Sequence, residues 1–276
     1  MFRPQPTPVP QKVAPPAPSV LSKKTVTHYP SLREAIKETL SSKPRTIALG
    51  ERHNYDLSTK LPTTIDHFAQ QVMPELAAAG YRHVVFENLP FGEETDQEIE
   101  RFNKGEKPGP FLFRHINESI DCRGIVQTLL MARKSGITLH GTHFTSREEY
   151  TQRIEDGTSG DIIKQRMVET IQRLREMDEN MLIAVFGGAA HNNVSGDPSA
   201  SIAPFFLPDF KEVDILLGRD YSPATEIEVE FNGWKTYIPE SGVNLVNFPS
   251  GKSVIAMPDN DLPLSQPTCP GKKSSK

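Results

Sequence analysis

Five short, almost continuous apolar runs set the limits on what this chain can fold into: RTIALG (45–50), RHVVFENLP (82–90), ITLHG (137–141), NMLIAVFGG (180–188) and VDILLG (213–218). A strand covered by helices on both faces reads as such a run, whereas a half-exposed strand alternates. The stretches between them carry helical spacing instead. In SLREAIKETLSS, Leu32, Ile36 and Leu40 recur four apart behind Ser31, a residue suited to cap the helix. Between Pro62 and Ala79, Ile65, Phe68, Ala69, Val72, Met73 and Leu76 form one apolar stripe, stopped by Gly80. Residues 123–135, ended by Gly136, and 161–178 repeat the pattern. Strand–helix alternation predicts an α/β fold with a mostly parallel central sheet covered by helices on both faces. Near the end, EIEVEFNGWKTYIP alternates around Asn232-Gly233, which predicts an antiparallel C-terminal hairpin at one edge, joined by residues 252–257.

A chain of 276 residues with 36% hydrophobic and 24% charged residues has the material for one substantial core. Its net charge of -4 gives no basic footprint, so nucleic acid is not the expected partner. No run approaches the roughly 18 apolar residues of a membrane span, so no transmembrane anchor is expected. The two cysteines, Cys122 and Cys269, have neither metal nor redox spacing, and no disulfide framework is expected. Residues 1–26 are Pro-rich, lack the apolar segment of a secretory signal and read as a disordered extension. The sharper alternative makes them a docking arm for a protein partner, or an address for export without a cleaved signal. Otherwise the location is cytoplasmic. Residues 27–258 form the α/β domain and 259–276 a polar tail. Residues 92–122 read as an insertion over the cleft, with Gly105, Pro108, Gly109 and Pro110 suiting a lid loop.

Polar residues collect at the ends of these strands. Glu51 and His53 follow the first run, Glu87 closes the second, His140 and His143 bracket the end of the third, and His191 follows the fourth. Ligands of open α/β sheets bind outside the carboxyl ends of the strands, so convergence there is the functional signal. Each residue alone is weak. A histidine near a strand end is more often structural, which is the reading for His83, His115 and His67, the last on a solvated helix face. Glu87 is harder to dismiss, because a carboxylate ending a Val-Val-Phe run must be solvated, paired or protonated.

The segments IALGERHN, VVFEN and IAVFGGAAHNN together resemble the motif set of the superfamily that joins ChaN-like haem-binding proteins, erythromycin esterases and TIKI/TraB proteins. The matching positions are Gly50, Glu51 and His53, then Glu87, then Gly188 and His191. Arg166 resembles an arginine that recurs before the last motif strand in esterase-like members. Unlike many proteins of that superfamily, this sequence is expected to carry no signal peptide, lipoprotein cysteine or anchor. The esterases also place one more residue between Glu and His.

Two carboxylates and two imidazoles in one cleft admit three uses. A divalent metal (Zn, Mn, Co or Fe) held by Glu51, His53, Glu87 and His191 would acidify a water that attacks an ester or amide. Alternatively, His53 acts as a metal-free general base, oriented by Glu51 or Glu87, with His191 or Arg166 stabilising the oxyanion. The third use is ligand binding without turnover, with haem held by Tyr55 or a histidine and His140 lining the cleft. Hydrolysis of a small-molecule or peptide substrate is placed first, because the charged cluster exceeds what orienting an apolar ligand needs.

Overall fold

The caps read in the sequence fix the helix ends. In a computed structural model that describes residues 23–51, 62–119, 121–191, 201–218 and 234–259, the Ser31 side chain accepts from the Glu34 amide and starts α1 (Leu32–Leu40). That helix buries Leu32, Ala35, Ile36 and Leu40. Thr63 and Asp66 form a reciprocal capping box at the start of α2 (Thr64–His67), which satisfies two otherwise orphaned amides. The helix continues through a π-helical turn (Phe68–Val72) into α3 (Met73–Ala79). Pro74 has no N–H for the carbonyl four residues back and its ring crowds that carbonyl, and the widened turn absorbs the misfit. Gly80 then ends the helix in the left-handed conformation at φ 101. His67 is buried at 1% exposure and bonds Gln71 at 3.1 Å, so the solvated face expected for it is corrected.

The strands are β1 (Thr25–Tyr29), β2 (Thr46–Glu51), β3 (His83–Pro90), β4 (Thr138–His143), β5 (Ile183–Gly188), β6 (Phe210–Leu217), β7 (Val243–Asn247) and β8 (Ser253–Met257). They form one sheet in the order β1-β7-β8-β6-β2-β5-β3-β4. The block from β8 to β4 is parallel throughout, and β7 joins it antiparallel to β8, followed by β1 antiparallel to β7. The α/β prediction with an antiparallel C-terminal hairpin thus holds, but the described hairpin is β7–β8. The Asn232-Gly233 turn lies outside the described residues. Strands β1 and β7 escaped the sequence reading because both are short and neither is a continuous apolar run.

Strand alternation splits the core in two. Ile47, Leu49, Val84, Phe86, Ala184 and Phe186 face a layer built from α1, α2, α3 and α6 (Cys122–Ser135). Phe68 stacks on Phe186 at 4.0 Å within it. Ala48, Val85, Ile183 and Val185 face the other way, onto Ile163, Met167 and Ile171 of α8 (Ser159–Met177). Each aromatic or aliphatic side chain so buried stabilises the fold by about 1.5–3 kcal/mol.

Two further expectations are corrected. Residues 92–122 are not a separate insertion: α4 (Glu93–Asn103) and α5 (Pro110–Glu118) bury Ile99, Phe102, Leu112 and Ile116 in the main core, and Gly105, Pro108 and Gly109 lie in the loop that joins them. Glu98, itself buried, accepts the Leu112 amide at 2.7 Å and so caps α5 from α4. Cys122 is disulfide-bonded, against the composition argument. The chain's other cysteine, Cys269, lies outside the described residues. Among the described residues no helix is long and apolar enough to cross a membrane.

Candidate functional site

The middle strands end in glycines where side chains from their neighbours need room. Gly50 of β2 lies opposite Gly187 of β5, and Glu51 opposite Gly188. From β3, Glu87 reaches across Gly187: a methyl group there would come within 2.3 Å of its Oε2 and 2.9 Å of its Cβ. That oxygen accepts the Gly188 amide at 2.6 Å, a short, charge-assisted bond. The other oxygen, Oε1, faces His191 Nε2 at 3.8 Å. Glu51 and Glu87 are each 4% exposed.

His191 ends a 3-10 turn (Ala189–His191) that follows β5 directly. Its carbonyl accepts the Ile202 amide at 2.8 Å, which ties the turn down. The first turn of α8 stands beside the ring, since a methyl on Gly160 would lie 3.7 Å from His191 Cε1. The positive end of this helix thus stands close to the imidazole. Chemically, a carboxylate anchored on one oxygen and an imidazole opposite the other form a unit that can orient a base and take a proton from water.

The sequence reading missed the opposite wall. Asp214 of β6 reaches across Gly50 as Glu87 does across Gly187; a methyl there would be 1.9 Å from Asp214 Oδ1 and 3.0 Å from Ala189 Cα. Lys252 Nζ binds Asp214 Oδ2 at 2.9 Å and Glu212 Oε1 at 2.8 Å, and all three side chains are buried. Burial alone would depress the Lys252 ammonium, but the carboxylates of Asp214 and Glu212 outweigh it and hold its pKa above the usual lysine value. The available signal was two acids at alternate positions of the buried run Glu212-Val213-Asp214-Ile215.

Of the remaining predicted residues, His53 and Tyr55 lie outside the described residues. The haem alternative rested on Tyr55 in part and gains nothing from the described ones. Arg166 donates to the His143 carbonyl at 2.9 Å and to Glu149 of α7 (Arg147–Glu155). Its guanidinium also lies over the Phe91 ring at 5.0 Å. It joins α8 and α7 to the end of β4. His140 Nε2 contacts His83 Nδ1 at 3.1 Å, and its Nδ1 stands 3.6 Å from Asp96 Oδ1. Asp96 in turn pairs with Arg173 at 3.0 Å. The predicted convergence is thus seen for Glu87 and His191, with Glu51 in register beside them. Arg166 and His140 make other attachments.

The predicted divalent metal meets a specific test here. Glu87 Oε2 is committed to the Gly188 amide. Among the described residues no group of three or more His, Cys, Asp or Glu is disposed to hold a metal ion. Those residues alone do not make the predicted four-ligand set.

No protein-family model matches the sequence, and no curated protein matches it. Several solved structures are similar. The type III effector HopBA1 matches with a TM-score of 0.47 and 14% identity, over 85% of this chain and 98% of its own. The C-terminal region of Pasteurella multocida toxin, described as having a thiol-protease like catalytic triad, matches with a TM-score of 0.45 and 16% identity. That match covers 67% of this chain and 25% of the other. RRSP, a MARTX toxin effector domain from Vibrio vulnificus CMCP6, gives a TM-score of 0.45 and 16% identity, over 67% and 36%. These neighbours are bacterial toxin or effector domains, and no residue role is carried from them.

Proposed function

We propose that the protein is a hydrolase acting on an ester or amide carbonyl, with His191 as the proton acceptor for the attacking water and Glu87 as the carboxylate that orients it. The observation that carries this is the Glu87 carboxylate, buried, anchored through Oε2 by the Gly188 amide and facing His191 through Oε1. The gap of 3.8 Å between them suits a resting site, since catalytic hydrogen bonds often tighten only around substrate. In this reading a proton leaves water for His191 as the oxygen adds to the carbonyl. The same proton then passes to the departing alkoxide or amine. Glu51 stands beside this pair at the end of β2, and a small molecule or a peptide is the substrate. A metal-assisted form, with Glu51, His53, Glu87 and His191 as ligands, is the companion proposal.

The test is a panel of chromogenic esters and peptide amides, assayed with chelator and with added Zn or Mn. His191→Ala and Glu87→Gln should each lower kcat/KM by about 100-fold or more, with circular dichroism unchanged. A fully active His191→Ala variant would sink the proposal. Full activity after exhaustive chelation would remove only its metal-assisted form.

A further inference from the structure

The Lys252–Asp214–Glu212 cluster lies outside the acid–base unit, yet its Asp214 shares the space above Gly50 with the turn that carries His191. Asp214 Oδ1 and Ala189 Cα crowd the same point above Gly50, at 1.9 Å and 3.0 Å from where a side chain would begin. Ala189 opens the turn Ala189–His191. Gly188, just before it, donates to Glu87. The notch left by Gly50 is therefore filled from β6 by a carboxylate and capped from β5 by the backbone that leads to the imidazole. The carboxylate has little freedom of its own. Its other oxygen binds a lysine that is 2% exposed and is shared with Glu212, so moving Asp214 would strip a buried ammonium of a counter-charge.

We propose that Asp214 is a positioning residue for His191, clamped by Lys252 and Glu212 and acting through the Gly50 notch on the turn at Ala189. It touches no reacting atom. Its role is to set where the imidazole stands relative to Glu87. The purpose assigned to it rests on the hydrolytic reading above, but its test does not.

The test uses the full chain, isotope-labelled, with two nuclear magnetic resonance reporters: the His191 Cε1–Hε1 signal and the Gly188 amide proton, whose bond to Glu87 marks it out. Asp214→Ala should shift both reporters while the amides of β1 and β7, at the far edge, stay in place. Asp214→Asn, which keeps the shape of the group, should return both toward wild type. A purely structural role would lower stability without moving the reporters selectively or allowing that rescue. If Asp214→Ala does not fold, Gly50→Ala crowds the same notch from the other side with all three charged residues still present, and it must shift both reporters. Wild-type reporter positions in whichever of these variants folds would overturn the proposal. Loss of the hydrolytic reading through an active His191→Ala leaves these outcomes unaltered, so the two failures are distinguishable.

Discussion

At Gly187 a missing side chain decides where Glu87 lies. An added methyl would meet Glu87 Oε2 at 2.3 Å, Glu87 Cβ at 2.9 Å and Met167 Cε at 3.1 Å. The carboxylate, at the end of its side chain, can yield, whereas its Cβ and the packed Met167 cannot easily do so. Gly187→Ala should therefore destabilise the fold by about 1–3 kcal/mol in urea unfolding, the usual range for overpacking. It should also weaken the Gly188–Glu87 bond, visible as an upfield move of that amide proton. Glu51, Glu87 and His191 were legible in the sequence because each lies at the end of an apolar run or within three residues of it. Asp214 was not: inside VDILLG it looks like an interruption of a strand. Its partner Lys252 stands just before another strand, and tertiary pairing of that kind leaves no local trace.

Among the elements, α4 and α8 are joined over the β3–β4 edge by a chain of polar contacts running from His83 through His140 and Asp96 to Arg173. Burial, and then the facing His140 ring, holds His83 below the ordinary value of 6.5. Burial also lowers His115, whose Nε2 meets the Asn88 carbonyl at 3.0 Å. The folded state thus binds these protons less readily than the unfolded chain does. Their contribution is present above pH 6.5 and is lost as the pH falls below it. Burial pushes the Asp96 carboxyl up, but the facing His140 ring and the Arg173 guanidinium outweigh that and lower it below 3.8. Its contribution is present above pH 3.8 and fails only in stronger acid. Thermal midpoints should therefore fall between about pH 7 and about pH 5, and His83→Asn should flatten that slope. An unchanged slope would remove His83 from the account. The helices α1 and α3 were readable down to their caps, since Ser31 and Gly80 act locally. The helices α4 and α5 were read as an insertion because the glycines and prolines of the loop between them drew the eye from the apolar positions on either side. Only packing shows Phe102 and Leu112 inside.

On the scale of the whole molecule, Lys252 fastens two parts of the sheet. It precedes β8, the strand that couples the antiparallel edge to the parallel body, and its ammonium binds β6 twice. Replacing it alone leaves two acids facing each other in a dry interior, so Lys252→Met should cost about 3–5 kcal/mol in urea unfolding. Removing all three charges together, as Lys252→Met with Glu212→Leu and Asp214→Leu, should recover most of that loss. A single variant as stable as wild type would show that the charges are not dry. The sheet order was invisible in advance, since strand sequence says which residues are buried and not which strands are neighbours.

That order has a consequence for how the protein is made. The strands carrying Glu51 and Glu87 follow one another along the chain, yet they never pair, because β5 lies between them. Closing the sheet across that gap must wait for a distant segment to arrive, which is entropically slow. Until then the two glutamates have no strand between them to fix their spacing, and neither the glycine floor nor the imidazole. A nascent chain that has emerged only as far as Met181 therefore holds both acids without the strand that will stand between them. The pairing of Glu87 with His191 exists only once synthesis has passed His191.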